Sequence, residues 1–195
     1  IAHINFIVGD FAENYRKNNF KKCLIMDNGT RSLSGLINKT VPYLKKISNI
    51  EFYVCIDHLS QKFKDQIYMS NNIVPVSGLK NMHEKLSEAD IIIARGGFNT
   101  ISECLVLKKP ALFFNEKNNP EVSENLRLLT KKYKLACLIN KGDWGKNFQK
   151  KLNSFIKKDS KRIYKKLKYK KFKFNGAKQV VDMISKKLTR ERIND

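Results

Sequence analysis

Apolar residues gather in short runs at regular intervals along the chain. Residues 23–26, 52–56, 73–76, 91–94, 111–114 and 135–139 each form a mostly apolar run too short for a helix, which predicts six β-strands. Between the runs the period changes. Leu33, Leu36, Ile37, Val41, Leu44 and Ile47 recur at helical spacing over 33–47, and shorter helices are predicted over 59–69, 82–89, 100–108 and 122–133. The runs at 91–94 and 111–114 show no alternation, as expected of strands covered on both faces of a parallel sheet. Pro75 predicts that its strand lies at an edge or ends early. Strands alternating with helices predict an α/β fold, a Rossmann-like, doubly wound parallel sheet of six strands with flanking helices. Such sheets bind ligands beyond the carboxyl ends of their strands, which directs attention to the loops 27–32, 77–82, 95–100 and 115–121.

The flanks read differently. Residues 1–22 are polar, with only a short apolar start at 4–8, and are expected to be a lead-in or linker. Residues 23–145 carry the alternation and form the expected domain. Residues 146–195 are helical in pattern and very basic, with a last amphipathic helix over about 177–188, and are expected to pack on the same domain. The chain opens on Ile1 rather than Met, which suggests a fragment of a longer protein.

Composition narrows the classes. The 195 residues are 42% hydrophobic, too many for a wholly disordered chain. No apolar run approaches the roughly 20 residues of a membrane-spanning helix. Asp10, Glu13 and Asn14 do not fit a secretory leader. Cys23, Cys55, Cys104 and Cys137 lie in or beside apolar runs without metal-site spacing, so buried thiols in a reducing, cytoplasmic setting are expected. His3, His58 and His83 form no zinc motif, and no metal is expected.

Charge is the most unusual feature. There are 39 Lys and Arg against 18 Asp and Glu, a formal net charge of +21. Residues 146–175 hold 13 of the cations against one acid, Asp159, with aromatic residues interleaved. A solvated helical face, a patch for an anionic membrane surface and a nucleic-acid site are the three readings. No nucleic-acid-binding module is recognised, which places that partner last.

Three loops could carry chemistry. Asp27-Asn28-Gly29-Thr30-Arg31-Ser32 leads from a strand into a helix, and is either a plain turn or a place where backbone approaches a phosphate. In Arg95-Gly96-Gly97-Phe98-Asn99-Thr100-Ile101-Ser102-Glu103 two glycines follow a buried strand. Asn99 or Thr100 is expected to cap the next helix, and Thr100-x-x-Glu103 has the form of a capping box. Alternatively Glu103, one turn into the helix, offers a carboxylate to a sugar diol. The stretch 115–121 is either a solvated loop or a place where amides and acids meet sugar hydroxyls.

Taken together, Ala89-Asp90, Arg95-Gly96-Gly97, Thr100 through Glu103, Lys109-Pro110-Ala111 and Glu124-Asn125 resemble the C-terminal domain of family 28 glycosyltransferases. That family includes the enzyme adding N-acetylglucosamine to the lipid-linked muramyl peptide; the UDP-sugar hydrolase of the pseudaminic acid pathway is similar too. The resemblance spans about 23–140 and the helix start near 176–181. It implies one half of a GT-B fold, the half that holds a UDP-sugar donor of the UDP-N-acetylhexosamine kind. By resemblance, Gly29 and Thr30 fall in the diphosphate loop, and Leu79 and Met82 beside the uracil. Gly96, Gly97, Asn99 and Thr100 fall at the diphosphate-facing helix start, Arg95 among the nucleotide-sugar-binding residues, Glu103 on the ribose diol, and Glu121 and Asn125 towards the sugar. Asp27 would bring a negative charge to the diphosphate loop unless Arg31 offsets it, and Glu121-Val122 stands where the family has paired glutamines.

The implied protein is the donor half of a hexosyltransferase of cell-envelope polysaccharide synthesis, or a UDP-sugar hydrolase, or else a basic binding module. An N-terminal domain or partner chain would supply the acceptor site and the catalytic base. The half is expected to bind UDP weakly and catalyse little alone, without a metal, in the cytoplasm or at the inner membrane face.

Overall fold

The computed structural model of the chain describes residues 20–27, 31–114, 116 and 118–169. The lead-in, the loop residues 28–30 and the C-terminal helix expected over 177–188 therefore lie outside the described residues. Six strands, β1 (Lys22–Met26), β2 (Glu51–Cys55), β3 (Ile73–Val76), β4 (Ile91–Arg95), β5 (Ala111–Phe114) and β6 (Cys137–Ile139), form one sheet in the order β3-β2-β1-β4-β5-β6. Every pairing is parallel, with Ile25 level with Val54 on one side and with Ile93 on the other. This is the doubly wound Rossmann order, with its reversal between β1 and β4. Leu24, Ile25, Ile92 and Ile93 are fully buried because helices cover both faces. Pro75 sits on β3, an edge strand, as its missing N–H requires.

The connecting helices are α1 (Ser34–Leu44), α2 (Gln61–Tyr68), α3 (Leu79–Glu88), α4 (Phe98–Val106) and α5 (Pro120–Arg127). Three begin earlier than the apolar spacing predicts, α3, α4 and α5. Gly78 takes φ 77 and ψ 152, a conformation essentially confined to glycine, and this turns the chain into α3 at Leu79 rather than at Met82. Helix α4 starts at Phe98 because Gly97, extended at φ −69 and ψ 150, takes the N-cap position. The Ile101 N–H closes the first turn on the Gly97 carbonyl at 3.0 Å. Thr100 is thus the third helical residue; neither it nor Asn99 is the cap, and the expected capping box at Thr100 is absent. The α5 start follows its chemistry instead: Asn119 accepts the Val122 N–H at 3.1 Å, and Pro120 occupies the first position. The helix predicted to 133 changes at Leu128 into a π-helical turn, Leu128–Lys132.

After β6, two 3₁₀ turns lead into α6 (Phe148–Ser154), a π-helical turn (Phe155–Ser160) and α7 (Lys161–Tyr169). Phe148, Leu152, Phe155, Ile163 and Leu167 are buried on the domain, and the Phe148 ring meets Phe52 with centroids 6.4 Å apart. The entry to α6 is fixed by a buried hydrogen bond, Gly145 N–H donating to Thr40 Oγ1 at 2.9 Å.

The amino-terminal end of the sheet is held by a polar cluster. Glu88, closing α3, accepts hydrogen bonds from Lys85 Nζ at 2.8 Å, Tyr53 Oη at 2.9 Å and Lys22 Nζ at 3.4 Å, so it links α3 to β2 and β1. Lys85 first, then Tyr53, holds the Glu88 carboxyl down at about 2, against an ordinary value of 4.5. A group depressed in the folded state stabilises fully above its unfolded value and loses that contribution as pH falls through the folded one. We therefore expect urea midpoints to decline from about pH 4.5 towards 2, with Glu88→Gln less stable at neutral pH and its midpoint falling less over that window. Solvent screening keeps the difference small, and an equal acid dependence in the two proteins would refute it.

Candidate functional site

Parallel strands end together, and here their carboxyl ends frame a cleft of about 880 Å³. Met26 from β1 and Cys55 from β2 form part of its lining, α3 contributes Met82 and His83, and Asp57 and Gly78 lie on the β2 and β3 loops. The other wall is the start of α4, with Gly97, Phe98, Asn99, Thr100 and Glu103. Arg95 lies at the end of β4, and Glu121 and Val122 of α5 complete the rim.

The electrostatics of the α4 start favour an anion. First-turn N–H groups have no carbonyl within their own helix and carry the positive end of its dipole. The Arg95 guanidinium lies at the same place: its Nη1 is 3.5 Å from where a Cβ on Gly97 would stand. Glu116, from the β5–α5 loop, holds Arg95 through Nε at 2.6 Å. Two positive features thus converge at the α4 start; Glu116 engages Arg95 from outside the lining, and Asp57, Glu103 and Glu121 are the carboxylates of the cleft itself.

Glu103 is different. Its side chain is only 15% exposed, and burial pushes its carboxyl above the usual range. His83 Nε2, 3.8 Å from Oε1, acts in the opposite direction. Below them Asp57 accepts hydrogen bonds from the Ser77 hydroxyl and, at 3.3 Å, from the Gly78 N–H, bracing the turn into α3.

Of the residues expected from sequence, Met82, Arg95, Gly97, Asn99, Thr100, Glu103 and Glu121 meet in this one cleft. Gly96 and Asn125 do not line it. A Cβ on Gly96 would come within 2.6 Å of three atoms of Leu126, a core residue of α5, so this glycine allows helix packing. Asn125, one turn beyond Glu121, has a buried Nδ2 without a hydrogen-bond partner among the described residues. Gly29 and Thr30 lie outside the described residues, as does the side chain of Leu79, which opens α3. The carboxylate expected to trouble the first loop is otherwise engaged: Asp27 is buried, and its Oδ1 accepts the Leu33 N–H at 2.9 Å and the Ser32 hydroxyl at 3.4 Å. Arg31 is exposed and is not among the cleft residues. His83, Asp57 and Glu116 were not singled out from sequence. Only the packing of α3 beside α4, and of the β5–α5 loop beside β4, brings them to the site.

A doubly wound parallel sheet with a crevice at its carboxyl edge defines a Rossmann-like domain, and the crevice is where such folds bind ligands. The family model for the glycosyltransferase family 28 C-terminal domain matches residues 28–181, and the chain belongs to that family. No curated protein sequence matches it. Among solved structures it is similar to MurG of Acinetobacter baumannii, with a TM-score of 0.62 and 17% identity over 89% of this chain and 54% of that one. UGT2 of Phytolacca americana, complexed with UDP-2fluoro-glucose and pterostilbene, gives 0.64 and 17% over 86% and 42%. UDP-GlcNAc 2-epimerase of Neisseria meningitidis, bound to UDP-GlcNAc, gives 0.55 and 19% over 88% and 45%. At these identities the likeness is one of fold, that of a GT-B half, and the chain spans about half the length of these proteins.

The adjacent glycines should separate in experiment. Gly96→Ala forces a methyl into the buried Leu126 side chain and should cost about 1–3 kcal/mol in urea denaturation, the usual range for overpacking. Gly97→Ala meets only an ordinary contact with Arg95 and loses only the N-cap preference of glycine over alanine, so it should lower the urea midpoint less than Gly96→Ala does. Equal losses at the two positions would contradict this division.

Proposed function

We propose that the cleft holds the nucleotide of a UDP-sugar, and that the chain is the donor-binding half of a hexosyltransferase. The observation that carries this reading is the meeting of Arg95, the α4 N-terminus and the half-buried Glu103 in one cleft at the sheet's carboxyl edge. The diphosphate would lie against the α4 first turn, where Gly97 lets it approach the backbone and the Arg95 guanidinium adds a cation. The Glu103 carboxylate would accept hydrogen bonds from both ribose hydroxyls. Met82 and the start of α3 would border the uracil, and Glu121 would face the hexose, an N-acetylhexosamine being the favoured donor; Asn125 lies outside the cleft lining and takes no such role. The similar proteins of known structure bound to UDP-2fluoro-glucose and UDP-GlcNAc support this chemistry.

In the reaction an acceptor hydroxyl attacks the anomeric carbon, and the bond to the UDP oxygen breaks. Negative charge grows on the departing diphosphate, and donors fixed beforehand at the α4 start and Arg95 stabilise it. The acceptor and the base that takes its proton would come from an N-terminal domain or a partner chain. With water as nucleophile the same contacts would serve a UDP-sugar hydrolase.

Calorimetric titration with UDP tests the proposal. Binding should be detectable at millimolar UDP or below, and Glu103→Ala should weaken it about 10-fold or more, the scale of a lost charged hydrogen bond. UDP lacking the ribose 2′-hydroxyl should bind less well than UDP to the parent but equally to Glu103→Ala. A parent protein indifferent to millimolar UDP would sink the proposal.

A further inference from the structure

We propose that a groove along the β6 edge is a second anion site, one that takes a compact molecule bearing two or more phosphate or carboxylate groups. The groove has a volume of about 960 Å³ and shares no lining residue with the cleft at the carboxyl edge. Leu112, Leu138 and Phe155 provide apolar surface within it. Five cations line it, Lys131, Lys134, Lys151, Arg162 and Lys166, against one carboxylate, Asp159.

These cations come from separate parts of the chain. Lys131 lies on the π-helical turn after α5, Lys134 on the link to β6, Lys151 on α6, and Arg162 and Lys166 on α7. Folding therefore gathers them, and their mutual repulsion is relieved by a bound anion. Arg162 is paired with Asp159 at 2.7 Å, and Lys151 with Asp143 at 3.5 Å. Lys131, Lys134 and Lys166 have no acidic partner among the described residues. Both walls also include a π-helical turn, Leu128–Lys132 on one side and Phe155–Ser160 on the other, a feature frequent at functional sites.

The shape selects the ligand. A bilayer surface cannot enter a concavity of this size, whereas a small polyphosphorylated molecule can, with its carbon skeleton on the apolar surface. Lysines supply point charges rather than planar forks, so multiple charge on the ligand matters more than its geometry. Cys137, half-buried in the groove, is pushed up to about 11, first by burial and then by Asp159. The thiol stays protonated at neutral pH, so it gives the groove no thiolate nucleophile.

Inorganic triphosphate and inositol hexakisphosphate are the probes, titrated at about 150 mM salt, where counterion screening removes diffuse attraction. Amide chemical shifts in the parent protein should move at 136–138 and 160–167. The double variant Lys131→Glu/Lys166→Glu changes two exposed side chains, and it should keep its thermal midpoint while binding the probes at least 10-fold more weakly. Unchanged affinity in that variant would overturn the assignment, as would shifts confined to the carboxyl-edge cleft. So would binding to phosphatidylglycerol vesicles with no response to either soluble probe, since the groove would then belong to a membrane-facing surface. Should the double variant unfold, the location of the shifts in the parent decides alone.

Discussion

The architecture rests on one constraint: all six strands run parallel, and the central ones are apolar on both faces. A parallel strand can be reached only by crossing back over the sheet, so each connection carries a helix across one face. All strands then finish at the same edge, and the helices that follow begin there. Met26, Cys55 and Arg95, far apart in sequence, end on one rim for this reason. The cleft is the geometric result of burying the sheet.

Charge in that cleft is divided by environment. Glu116 sits on the β5–α5 loop and is engaged by Arg95. Glu103 is set into α4, raised by burial and within 3.8 Å of an imidazole. Two carboxylates of the same type therefore do different things: one steadies a cation, and the other retains acceptor capacity towards the cleft. Asp27 illustrates a third outcome, since its Oδ1 is taken up by the turn that starts α1.

Most of the architecture was legible in the chain because burial leaves direct traces. The apolar runs at 73–76 and 111–114 coincide with β3 and β5, and the other strands differ by one or two residues at one end or, for β2, by one residue at each end. Helix starts were harder where a glycine set them. At α4, Thr100-x-x-Glu103 has the form of a capping box, yet the backbone of Gly97 opens the helix two residues before Thr100. Within the site, Arg95, Gly97 and Glu103 lie close together in sequence and could be grouped by pattern. His83 and Glu116 are placed by contacts across 20 and 21 positions, and no local spacing encodes those. Gly96 and Gly97 are indistinguishable as letters; only the position of Leu126 separates a packing role from a lining role.

The wide turn at Phe155–Ser160 has an effect on the helical stretch from Phe148 to Tyr169. Continued from Phe148 at about 3.6 residues per turn, an α-helix would carry Leu167 roughly a quarter of a turn off the buried face. Yet Phe148, Leu152, Phe155, Ser160, Ile163 and Leu167 are all buried, with one step of five among steps of three and four. The π-helical turn absorbs the extra residue and restores the phase of the apolar stripe. It also sets Lys151 and Ser154, before the turn, and Arg162 and Lys166, after it, along the same groove. The helix thus behaves as two segments with a clutch between them. Removing one residue from the clutch would rotate the basic face and the apolar face together, which couples the anchoring of the helix to the composition of its exposed side.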